Sequence, residues 1–171
     1  MDALQLLLRL AHVGSGALWV GMMAYNVFFL MPALDEIGPD AGKVMQALQR
    51  RRMMTIVPIL AVTTLISGIW LLWRVSGGFA PIYFRSGMGL ALAIGGLASI
   101  IGYALGMTLV RPAMLRMAAL TQQMGSTRTD DERKSLGTEI QRIRARGGML
   151  NKATAYLLLL ALAAMAVARY V

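Results

Sequence analysis

Long apolar runs broken by short basic segments set the pattern of this chain. The runs extend from Leu4 to Met31, Met53 to Trp73, Gly87 to Val110 and Ala153 to Tyr170, and no acidic residue falls inside any of them. Each holds at least about 18 residues, enough at helical rise to cross a hydrocarbon core of about 30 Å. A water-soluble bundle would show a polar stripe at every turn, and Ala91–Ile101 and Tyr156–Ala168 offer almost none. The pattern therefore predicts an all-α, polytopic membrane protein: a four-transmembrane-helix bundle forming a single membrane domain over 1–171. The first run is too long for the apolar core of a signal peptide, carries Asp2 and lacks a small-x-small exit, so it reads as a true helix.

Between the runs, the layout repeats. Span one leaves through Met31-Pro32-Ala33 and span three through Arg111-Pro112-Ala113, and each exit leads to an arginine-rich stretch before the next span, which suggests a two-fold internal repeat over 1–75 and 86–171. The second loop carries helix signals of its own. Thr129-Asp130-Asp131-Glu132 reads as a capping box, Leu136, Ile140 and Ile143 share a face, and Gly147-Gly148 reads as a stop, predicting an amphipathic helix along the cytoplasmic membrane surface. Ser76-Gly77-Gly78-Phe79-Ala80-Pro81 reads as a tight turn between spans two and three.

Charge orients this layout. Of the 17 basic residues, the loops after spans one and three hold thirteen and the opposite side holds four: Arg9, Arg74, Arg85 and Arg169. The positive-inside rule then places both long loops in the cytoplasm and both termini outside. The formal charge of +9 is a match for anionic headgroups of the bilayer rather than for nucleic acid. All eight acids lie outside the spans, which argues against a proton pump or ion-coupled carrier. With no cysteine and one histidine, thiolate metal sites and a Ser-His nucleophile are excluded, so the residues point away from catalysis.

Polar residues within the spans are driven to find protein partners. His12, Gly16, Trp19, Met23 and Asn26 share one face of span one, and Thr63, Ser67, Trp70 and Arg74 one face of span two. Counting inward from the outer ends brings His12 level with Ser67 and with Gly95-Gly96. Two readings of that level follow. In one, His12 hydrogen-bonds Ser67, and Gly95, Ser99, Gly102 and Gly106 form a small-residue stripe for close helix packing. In the other, the space at Gly95 and Gly96 admits haem b, with His12 as the metal ligand, Ser67 also lining the pocket and Trp19 or Trp70 against the macrocycle edge. Asn26 is level with Pro58, Tyr103 and Tyr156, predicting a kink and a local polar network there. Fourteen methionines raise copper, since thioethers suit Cu(I). The pairs Met22-Met23 and Met53-Met54, however, diverge by about 100° on a helix and read first as packing residues.

Leu10-Ala11-His12, Ala17-Leu18-Trp19-Val20-Gly21, the Pro32 exit, Arg50-Arg51-Arg52 and Ser67-Gly68-Ile69-Trp70-Leu71-Leu72-Trp73 resemble the bacterial CopD-like copper-resistance membrane domains and their DUF2269-type relatives. More distantly, this half of the chain is similar to the HemJ-type protoporphyrinogen oxidases. The resemblance covers about residues 5 to 75 and implies a bacterial inner-membrane bundle, with His12 at the position of a haem ligand in the oxidase branch. The chain departs from that branch in having no second histidine near the end of span one and no lysine within span three. Three functions are therefore expected in turn. The first is a non-catalytic accessory or assembly component of a respiratory, photosynthetic or metal-handling membrane complex, as a subunit or a homo-oligomer. The second is a haem-binding redox protein or oxidase, and the third is copper transport.

Overall fold

The computed structural model describes residues 2–38, 41–126 and 129–171. Among them there is no strand. α1 (Ala3–Tyr25) runs through a π-helical segment, Asn26–Leu30, into α2 (Met31–Ile37), and Gly38 with φ 67° ends it. α3 (Ala41–Arg50) leads to α4 (Met53–Val75) through Arg52, held in the left-handed region at φ 58°. α5 (Gly87–Leu105) continues through a second π segment, Gly106–Val110, into α6 (Arg111–Ser126), and α7 (Asp130–Val167) completes the fold. Four of these continuous helical stretches are long and apolar enough to cross a membrane: Ala3–Ile37, Met53–Val75, Gly87–Ser126 and Asp130–Tyr170.

The two π segments have a common cause. Pro32 and Pro112 lack an amide proton, and the ring of each would collide with the carbonyl four residues earlier in a regular α-helix. Widening one turn relieves both problems: the Met31 amide donates to Asn26 O and the Arg111 amide to Gly106 O, five residues back in each case. Both long helices therefore pass their prolines without breaking, and each extends beyond the exit expected from sequence.

Gly147-Gly148 does not stop a helix. α7 runs through both glycines, so the expected surface helix and span four are one rod. Glycine costs a helix about 1 kcal/mol relative to alanine, a weak penalty beside tertiary support. That support comes from α6, which lies against α7, buries Leu120 and pairs Arg116 with Glu139 at 2.5 Å. The capping box is also altered: the Thr129 hydroxyl donates to the Glu132 carboxylate at 2.8 Å instead of capping a backbone amide.

The spans form a ring. α1 packs along α4 and α5 along α7, with lighter contacts from α4 to α5 and from α1 to α7, while the diagonal pairs meet only through side chains at the centre. The centre holds Trp19, Ala61 and Leu158, with Tyr103 edge-on to Trp19 at 6.4 Å between ring centroids. At the end of the bundle where α4 turns toward α5, Gly77, Gly78 and Phe79 all take positive φ and make the compact turn, which the Ser76 hydroxyl stabilises by accepting from the Phe79 amide at 2.8 Å. Asp2 caps α1 by accepting from the Gln5 amide and pairs with Arg74 across from α4, both at 2.7 Å. Those two partners hold the Asp2 carboxyl below its ordinary value. Toward the other end, Arg144 of α7 pairs with Asp35 of α2.

Candidate functional site

The polar groups of the α1–α4 pair close on one another. His12 Nδ1 lies 2.8 Å from the carbonyl of Thr64, which only accepts, so Nδ1 carries the proton. The expected partner, Ser67, instead donates to the carbonyls of Thr63 at 2.5 Å and Thr64 at 3.2 Å, as hydroxyls on membrane helices commonly do. Ser15 and Thr64 share a hydroxyl contact of 2.8 Å, and each also reaches a carbonyl one turn back on its own helix, those of Ala11 and Leu60. The inward face of α4 is thus Ala61, Thr64 and Ser67. Thr63 and Trp70, expected inside, lie outward, and the Trp70 ring rests edge-on against Trp73.

The imidazole fits because Gly68 faces it. A Cβ at that position would lie 2.6 Å from His12 Cε1 and 2.9 Å from Nδ1. The glycines of α5 do not face His12 at all. Gly95 meets the Ala161 carbonyl and Met165 of α7, and Gly102 meets Leu158 of the same helix, while Ser99 is buried and donates to the Gly95 carbonyl at 2.9 Å. Gly96 and Gly106 have no atom within 4 Å of the position a Cβ would take, so the small-residue stripe packs through Gly95, Ser99 and Gly102 only.

These positions give a fit test for haem. His12 is engaged through Nδ1 and seated on Gly68, Trp19 is in the core with Tyr103, Trp70 is on the outer surface, and Gly95 is filled by α7. The six residues expected to form the pocket do not converge on one space. The residues present do not fit the group. Among the described residues, no three of His, Asp and Glu gather to hold a metal ion.

A different site lies in the other half of the bundle, and sequence reading missed it. A cavity of about 120 Å³ is lined by all four spans. Six of the fourteen methionines reach it: Met22 and Met23 from α1, Met53 and Met54 from α4, Met107 from the second π segment and Met114 from α6. Its inner end is closed by Trp19, Ala61, Gly102 and Tyr103, and Asn26, Asn151 and Thr154 lie on its wall. The Asn151 amide donates to the Asn26 carbonyl oxygen at 3.2 Å, joining the first π segment to α7. Asn26 thus finds a partner on α7 in place of the network expected around Pro58 and Tyr156. Pro58 lines the cavity, while Tyr156 is exposed and edge-on to Phe28.

The cavity is only partly enclosed. No Cα of Gly106–Ser126 comes within 8 Å of one in α4, although both walls line the same space. α4 and α5 meet, and beyond that contact α4 diverges from the π segment and α6, leaving a cleft. All six methionines on its walls are half-buried. Pro58 removes a donor from the α4 ladder at this level, and on the other wall Gly106 supplies no side chain and leaves open space where one would lie. Arg111 stands at the rim, exposed, and takes part in no ion pair among the described residues. No family model, curated protein or solved structure matches this chain, so these residues alone carry the functional reading.

Proposed function

We propose that this chain is a non-catalytic multi-pass component of the bacterial inner membrane, accessory to a larger membrane complex or to copies of itself. The observation that carries the reading is an outward face on α1. Gly14, Ala17 and Gly21 recur at helical spacing on that face and are all exposed, and a Cβ on either glycine would meet nothing within 4 Å. Small residues on a lipid-facing surface let a neighbouring transmembrane helix approach to backbone contact. Inside the bundle, by contrast, the histidine and hydroxyls of α1 and α4 are bonded within the protein, which supports a structural role over catalysis. The basic loops, thirteen cations against four, support the cytoplasmic placement of the two long loops; reporter fusions after Ser126 and after Val171 should read cytoplasm and exterior respectively.

Blue-native electrophoresis of the protein in mild detergent membrane extracts tests the association. The wild type should migrate in an assembly larger than one chain, and Gly14→Leu with Gly21→Leu should collapse it while Leu97→Ile leaves it intact. A wild type that migrates as a single chain with its detergent defeats the reading. The six thioethers around one cavity favour copper handling as a second reading. Under that reading the purified protein takes up Cu(I) stoichiometrically, and Met54→Leu with Met107→Leu abolishes the uptake.

A further inference from the structure

We propose that the methionine-lined cleft between α4 and the α5–α6 helix holds one acyl chain of an anionic phospholipid from the cytoplasmic leaflet, with the phosphate on Arg111. Dimensions decide the class of occupant. From Met53 to Ala61 the α4 wall rises through eight residue steps, about 12 Å at helical rise, which covers most of one leaflet of a core about 30 Å thick. A helix with its side chains is about 10–12 Å across and does not fit a cavity of about 120 Å³, whereas apolar cavities of about that size accept small hydrocarbons. A slender chain entering sideways matches both the depth and the width.

The lining chemistry agrees. Methionine is flexible and polarisable, so thioether walls adapt to a chain of no fixed conformation better than branched side chains do. No Cα of α4 lies within 8 Å of one in Gly106–Ser126, so the entrance under this proposal is the gap between those two walls, which a chain already in the bilayer reaches without crossing water. Charge selects the headgroup. Arg111 is on the rim of one wall, and Arg52 immediately precedes Met53 on the other. In the orientation set by the basic loops, both lie at the cytoplasmic interface, where each cation near an anionic lipid surface is worth about 1 kcal/mol. The site is independent of the outward α1 face that carries the proposed association.

Native mass spectrometry of the full chain, released from mild detergent after titration with phosphatidylglycerol or with phosphatidylcholine of the same acyl chains, tests the proposal. One phosphatidylglycerol should be retained at about fivefold lower lipid concentration than phosphatidylcholine. Arg111→Gln should weaken that preference and Arg111→Gln with Arg52→Gln should erase it, while the exposed Arg142→Gln should leave it unchanged. Gly106→Leu, which places a side chain into open space in the cleft, should remove the tightly held lipid of either kind without lowering the melting temperature. Val57→Phe does the same from the opposite wall and serves if the glycine variant fails to fold. Equal retention of the two lipids by the wild type overturns the proposal. So does a tight adduct that survives both cleft-filling variants, and so does stoichiometric Cu(I) uptake that expels the lipid, which returns the cleft to the copper reading.

Discussion

Substituting Gly68 with alanine probes the closest approach between α1 and α4. The added methyl would lie 2.6 Å from His12 Cε1, and carbon atoms in contact prefer about 3.5–4.0 Å, so about 1 Å must be found. If the imidazole swings away, Nδ1 leaves the Thr64 carbonyl, at a cost near 0.6 and at most about 1.7 kcal/mol for a hydrogen bond between membrane helices. If instead the helices separate, the Ser15–Thr64 contact at 2.8 Å and the seat of Gly16 on the Thr64 methyl are lost as well. Overpacking of this kind costs about 1–3 kcal/mol, and the better helix propensity of alanine returns up to about 1. The net expectation is a loss of about 1–2 kcal/mol. In a His12→Ala background the ring is gone, so Gly68→Ala should cost nothing or stabilise. Reversible unfolding by sodium dodecyl sulfate in mixed micelles gives all four corners of the cycle. Additive costs, with no coupling beyond about 0.5 kcal/mol, would refute the seating of His12 on Gly68.

Three further outcomes follow from particular contacts. Gly102→Leu should destabilise the bundle by about 2 kcal/mol or more because it is driven into Leu158, whereas Gly106→Leu should be tolerated, and equal melting temperatures would contradict the packing. Asn26→Leu and Asn151→Leu should each cost about 1–2 kcal/mol by leaving the other amide unpaired, and the double variant should cost less than the sum in the same unfolding assay. The depressed Asp2 carboxyl contributes stability above its unfolded-state value and loses it as pH falls through its lower folded-state value. Melting temperature should therefore drop below about pH 4 in the wild type and drop less in Asp2→Asn, and high salt should shrink the difference; parallel acid limbs would remove the Arg74 pair from the account.

The spans were legible because lipid imposes a simple demand: every backbone group must be paired internally, so uninterrupted apolar runs become helices. The inward face of α1 was legible for the same reason, and Trp19 and Asn26 are buried. The α4 face was misjudged by one residue, Thr63 for Thr64, because both are threonines and Ser67 lies at helical spacing from either. Gly147-Gly148 and the two prolines misled for a different reason. Local penalties of a few kcal/mol lose to packing, by α6 against α7 in one case and by a widened turn in the other. The methionine cleft was hidden because periodicity describes one helix at a time. Met22 and Met23 do diverge around α1, yet a cavity enclosed by a ring of helices receives side chains from both flanks of each wall. Its open side depends on where α4 and α6 part, and no spacing along the chain encodes that separation.

The absence of cysteine permits a direct test of the cleft, because a spin label on Met107→Cys has no competing thiol. In bilayers, power-saturation measurements compare its collisions with oxygen, which concentrates in the hydrocarbon, and with a water-soluble nickel chelate. A cleft open sideways to the lipid predicts strong relaxation by oxygen and little by nickel, with oxygen accessibility falling when Gly106→Leu fills the space. A label shielded from both reagents would mean that α4 and α6 are closed against each other, and a label relaxed mainly by nickel would mean that the cavity opens to water; either result would contradict the account.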